Sequence, residues 1–161
     1  MTARTTRLDA GVREAMRALS AATKKGLGDA ALAELVQIRA SQLNHCAFCL
    51  DMHLTLARKH GVSMGVPPVE RSRDWGRQLD LLAAWEEAGD DVFDARERAA
   101  LALTEAVTVL TDGFVPDAVY ERAAEHFDER QLAHLIGLIT VINSWNRLMV
   151  SRRIPAGSTE W

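Results

Sequence analysis

The chain has 161 residues, enough for one domain with a sizeable core and too few for two comfortable ones. Hydrophobic residues make up 48% and charged residues 25%, which argues against a disordered or fibrous class, and a formal net charge of −3 gives no electrostatic reason to expect nucleic acid or an anionic membrane as partner. No apolar run reaches the roughly 18 residues a membrane span needs, and the polar start MTARTTRLDAG lacks the apolar stretch of a signal peptide, so the expected compartment is the cytosol.

Seven segments carry helical periodicity and none alternates long enough for a strand, so the expected fold is all-α, a single-domain helical bundle with its core over about 8–151. The first helix is expected from Asp9 to Lys25, with Leu8, Val12, Ala15 or Met16, and Leu19 as its apolar stripe and Gly26 and Gly28 ending it. A second helix begins near Asp29 and carries Leu32, Leu35, Ile38 or Arg39, and Leu43 along its apolar stripe; Glu34 lies on its flank and could face inward too. Asn44 suits an N-cap for the third, which would put Cys46 in the first turn and end at Arg58, Lys59, His60 and Gly61.

Residues 61–73, with two consecutive prolines, read as the longest loop. A fourth helix is expected over 74–87 with Trp75, Leu79, Leu82 and Trp85 on one side, and a fifth from Asp94, where Glu97 completes a capping box, to Gly113. The sixth should start at Pro116 and reach Phe127, and Asp128 can cap the seventh, 129–151. This last helix is apolar almost all round and must be buried in the domain or against another subunit. The tail, 152–161, is expected to be loose.

The chemistry concentrates between Glu34 and Gly61, which hold both cysteines of the chain, Cys46 and Cys49. In a reducing compartment such a pair points to redox or metal use rather than a permanent staple. At about 100° per residue, Cys46, Cys49 and His53 fall within roughly 60° of arc and share one helix face. A helix N-terminus stabilises a thiolate, an imidazole can take or return its proton, and a sulfenic acid formed on one cysteine can condense with the other. Position divides on which thiol attacks: Cys46 lies nearer the helix start, while Cys49 lies one turn from His53. Glu34, by spacing alone, is an ordinary solvated residue that could orient His53.

Zinc is the competing use of Cys46, Cys49, His53 and His45, but structural zinc sites draw ligands from two separated knuckles. A c-type haem is excluded because Leu50 follows the second cysteine. No cofactor or metal is therefore expected. His60, His126 and His134 read as residues with local roles, and Trp145, Asn146 and Arg147 as packing and hydrogen-bonding groups.

The pattern E-x11-C-x2-C-x3-H, met as Glu34, Cys46, Cys49 and His53, resembles the signature of the alkylhydroperoxidase D-like branch of the carboxymuconolactone decarboxylase family. The flanking RASQLNHCAFCLDMH, ERAALALTEAVT at 97–108 and INSWNRLMV at 142–150 are similar to segments of bacterial single-domain members, so the resemblance covers about residues 30–151. It implies a helical trimer or hexamer and a thiol peroxidase that reduces alkyl hydroperoxides or hydrogen peroxide. By motif position Cys49 would be the peroxidatic nucleophile, Cys46 the resolving thiol, and His53 with Glu34 the proton relay, with a thioredoxin-type or lipoyl-type dithiol as reductant. The cysteine pair counts against the lactone decarboxylase branch; a non-catalytic redox- or metal-responsive oligomer is the alternative. Two departures stand out: Phe48 replaces a histidine that some family peroxidases carry between the cysteines, and the 61–73 loop is longer than in similar members. Through its segment, Glu105 could also enter the pocket.

Overall fold

In a computed structural model the chain is described over residues 3–4, 7–60, 74–159 and 161. These residues form seven α-helices and no strand: α1 (Ala10–Leu27), α2 (Ala30–Leu43), α3 (Ala47–His60), α4 (Trp75–Leu81), α5 (Ala95–Thr108), α6 (Asp117–Ala124) and α7 (Glu129–Arg152). The all-α expectation holds. The expected 61–73 loop and the side chain of His60 lie outside the described residues.

Aspartates start most of the helices. Asp9, Asp29, Asp74, Asp94 and Asp128 each accept a backbone N–H of the following first turn, and Asp94 with Glu97 and Asp128 with Gln131 close reciprocal capping boxes. α1 runs two residues past the expected end and stops at Gly28, whose φ of 72° is a left-handed cap that costs glycine little.

α2 and α7 form the centre. α7 packs on α1, α2, α3, α5 and α6, while α2 also meets α3 and α5, which accounts for the nearly all-round apolar character of α7 within a single chain. One core cluster joins Leu27, Leu32, Val36, Leu103, Leu135 and Leu138; a second, on the other side of α2, joins Leu35, Ile38, Leu79, Leu82, Phe93 and Leu101. Each such side chain, fully buried, contributes roughly 1.5–3 kcal/mol. α1 and α7 cross closely: a β-carbon on Gly26 would collide with the His134 ring, and one on Gly137 would lie 2.9 Å from Thr23 Cγ2.

Several expectations are corrected. Val12 and Leu19, expected to face the core, are 46% exposed each, because α1 rests on α7 through Met16, Thr23 and Leu27 instead. The fourth helix ends at Leu81 and tightens into a 3-10 turn over Leu82–Ala84. α5 stops at Thr108 and leaves Leu110 exposed, with a turn at Gly113. The sixth helix covers only Asp117–Ala124, with Pro116 as its N-cap rather than its first residue. The tail is not loose at its last residue: the Trp161 ring packs edge-on against Phe48 and Trp145, and Gly157 N–H donates to Asp51.

Candidate active site

Asn44 does not cap α3. It ends α2, and its side-chain amide donates to Ala40 O and to the Oδ1 atoms of Asn143 and Asn146 on α7, at 2.8 and 3.0 Å for the two asparagines. Asn146, wholly buried, in turn donates to Ser41 Oγ, and Asn143 donates to Thr108 Oγ1. This buried polar network fastens the α2–α3 turn to α7, and every amide in it finds a partner as burial requires. His45, with φ 52°, makes the tight turn that redirects the chain.

The turn delivers Cys46 to the residue immediately before α3, not into its first turn. The Cys46 carbonyl accepts Leu50 N–H, and its Sγ accepts Cys49 N–H at 3.3 Å, so the sulfur occupies the place of an N-capping side chain. Cys46 and Cys49 are joined in a disulfide, with α-carbons 5.3 Å apart. Both are about 1% exposed, and a third cluster of Phe48, Met149, Met52 and Trp161 packs around them.

His53, one helical turn after Cys49, is buried, and its Nδ1 lies 2.8 Å from Glu34 Oε2. Glu34 is 5% exposed, which corrects the solvated reading that spacing alone suggested and supports the inward one. Its other oxygen accepts from Lys24 Nζ at 2.9 Å and Gln37 Nε2 at 3.2 Å. Burial pushes the Glu34 carboxyl up, but the hydrogen bond from His53 and the positive charges of His53 and Lys24 outweigh it and hold the pKa at about 2. An ionised Glu34 accepts the hydrogen on His53 Nδ1, so in the neutral form of the ring Nε2 is the nitrogen open to accept a proton.

A cavity of about 370 Å³ adjoins this His53–Glu34 pair. Cys49 and His53 both line it, Cys46 does not, and its walls include Phe48, Ile142, Trp145 and Met149. Arg17, Lys24 and Trp161 also reach it. The structure thus gathers the four motif residues but orders them: Glu34 sits behind His53, and Cys46 behind Cys49. Lys24 was missed by sequence reasoning; the signal was a basic helix end facing an inward glutamate across the Gly26–Gly28 turn. Glu105 does not enter the cavity lining, because Arg39 Nε at 2.7 Å and Trp85 Nε1 hold its carboxylate elsewhere. Among the described residues no group of three or more His, Cys, Asp or Glu side chains is disposed to hold a metal.

Residues 9–65 match the carboxymuconolactone decarboxylase family. The chain is 40% identical over 125 residues to the uncharacterized protein YdfG of Bacillus subtilis (strain 168), a match covering 78% of this chain and 76% of that one. It is 34% identical over 128 residues to the uncharacterized protein YnjA of Escherichia coli (strain K12), spanning 80% of this chain but only 62% of the relative. Among solved structures, a protein of unknown function from Agrobacterium tumefaciens, provisionally assigned as the antioxidant defence protein AhpD, superposes with a TM-score of 0.79 at 28% identity over 93% of both chains. An uncharacterized peroxidase-related protein from Silicibacter sp. TM1040, with a TM-score of 0.65 at 19% identity over 87% of this chain and 67% of the other, shares the fold. The chain belongs to the carboxymuconolactone decarboxylase family and has its AhpD-like helical fold.

Proposed function

We propose that the protein is a thiol-dependent peroxidase that reduces alkyl hydroperoxides or hydrogen peroxide by cycling Cys46 and Cys49 between dithiol and disulfide. The observation that carries this reading is that Cys49 and His53 line the same cavity, with Glu34 fixing the imidazole from behind.

In the reduced protein, His53 Nε2 takes the Cys49 thiol proton, and the thiolate attacks the terminal oxygen of the hydroperoxide. The O–O bond breaks, the S–O bond of a sulfenic acid forms, and the departing alkoxide takes the proton back from His53 and leaves as an alcohol. Cys46 then attacks the Cys49 sulfur; the S–S bond forms, and hydroxide leaves as water with the proton Cys46 gives up. The Cys49 N–H that meets Cys46 Sγ favours the Cys46 thiolate, so it assists this attack and also the departure of Cys46 when an external dithiol later attacks Cys49. A second exchange returns both thiols and oxidises the reductant to its own disulfide.

A thioredoxin-type or lipoyl-type dithiol fits the reductant role, and the cytosol, which sustains such reductants, is the compartment we assign. The half-exposed Val12 and Leu19 on α1 support assembly as a trimer or hexamer.

Consumption of cumene hydroperoxide in the presence of a dithiol tests the reading. The wild type should turn over repeatedly and Cys49→Ser should not; equal rates in the two proteins would overturn it.

A further inference from the structure

Resting on the peroxidase reading, we propose that the cavity selects hydroperoxides bearing a carboxylate, with Arg17 as the group that receives the anion. The cavity walls are apolar, formed by side chains such as Leu56, Ile142, Trp145 and Met149, and would by themselves select only for size and shape. Two cations break this pattern. Arg17 and Lys24 are seven residues apart on α1, hence on one helix face, and both line the cavity.

Their situations differ. Lys24 is matched by ionised Glu34 at 2.9 Å, so its charge is compensated inside the relay. Arg17 has no carboxylate partner among the described residues; its guanidinium lies over the Trp161 ring, 5.1 Å from the centroid. A cation held over a ring face spends no N–H donor on a carboxylate, so the N–H edge of the guanidinium remains available. That edge matches a carboxylate in two parallel, charge-assisted hydrogen bonds. In a chain of net charge −3, the cavity therefore carries a local excess of positive charge at Arg17.

The site then has two polar stations joined by an apolar wall. Cys49 and His53 receive the peroxide group, Arg17 receives the anion, and the hydrocarbon between them lies along Phe48, Trp145 and Met149. Trp161 holds Arg17 and completes this wall through its edge contacts with Phe48 and Trp145.

Cumene hydroperoxide bearing a para-carboxylate, compared with the methyl ester of the same compound, isolates the charge at nearly constant shape. The wild type should show kcat/KM higher by about tenfold for the carboxylate, and Arg17→Gln should collapse that ratio toward one while Arg17→Lys retains part of it. A binding measurement that needs no turnover accompanies it: 4-isopropylbenzoate should perturb the tryptophan fluorescence of the wild type more strongly than its methyl ester, and Arg17→Gln should abolish the difference. Arg17-dependent binding of 4-isopropylbenzoate without consumption of any peroxide would support the anion site and remove the peroxidase reading. Peroxide turnover with equal kcat/KM for acid and ester, or a preference that survives Arg17→Gln, would overturn the anion site and leave the peroxidase reading standing.

Discussion

His53 Nδ1 lies 2.8 Å from Glu34 Oε2, two buried side chains nineteen residues apart that face each other because α2 and α3 fold back at the Asn44–His45 turn. Their pairing orients the imidazole, so in the proposed reaction Glu34 would act through His53 rather than on the substrate. Glu34→Gln keeps the shape but removes the charge that holds hydrogen on Nδ1. It should lower kcat/KM for cumene hydroperoxide by about 10²-fold, the lower end of general acid–base contributions, and alter the pH–rate profile. Steady-state kinetics across pH checks both.

The same pair makes stability depend on pH. The folded-state pKa of Glu34, about 2, lies below its ordinary value of 4.5, so its contribution is present above pH 4.5 and is lost as pH falls toward 2. Urea unfolding at pH 7 and at successive steps down to pH 2.5 should show Glu34→Gln losing less stability over this acid window than the wild type. Parallel losses in the two proteins would contradict the assignment.

Asn146 is wholly buried and donates to Ser41 Oγ while accepting from Asn44. Asn146→Leu would remove one of the three acceptors of the Asn44 amide and the donor to Ser41 Oγ in the interior. It should cost about 1–3 kcal/mol in denaturant unfolding and speed hydrogen exchange most around Cys46, where the turn loosens.

Gly26 permits the close crossing of α1 on α7, where the His134 ring occupies the space a β-carbon would take. Gly26→Ala should destabilise the protein by about 1–3 kcal/mol, since the ring must turn away. His134→Ala in the same chain should recover most of that loss, and a double-mutant cycle measured by urea unfolding reads the coupling directly.

Much of this was legible in the sequence where the signal is local. The capping aspartates, the Asp94–Glu97 box and the apolar periodicity place the helix starts within a few residues, while α4 and α5 end earlier than that pattern sets them, and the shared face of Cys49 and His53 follows from helical spacing. What was not legible depends on distant partners. Asn44 reads as an N-cap until Asn143 and Asn146, about a hundred residues on, take its amide, and that shift moves Cys46 from the first turn to the capping position. Glu34 reads as solvated until Lys24 and His53 close over it. Val12 and Leu19 read as core because periodicity reports an apolar face without saying what covers it. Trp161 carries no periodic signal at all, yet it packs into the wall beside Phe48.

The central claim is that Cys49, the sulfur that lines the cavity, is oxidised first and that Cys46 resolves it. Mass spectrometry of reduced Cys46→Ser protein after one equivalent of peroxide tests this most directly, with a dimedone trap for sulfenic acid. The account predicts one adduct, on Cys49, in Cys46→Ser, none in Cys49→Ser, and an intramolecular disulfide without adduct in the wild type. A sulfenic acid trapped on Cys46 in the Cys49→Ser protein, with Cys49 unmodified in Cys46→Ser, would contradict it.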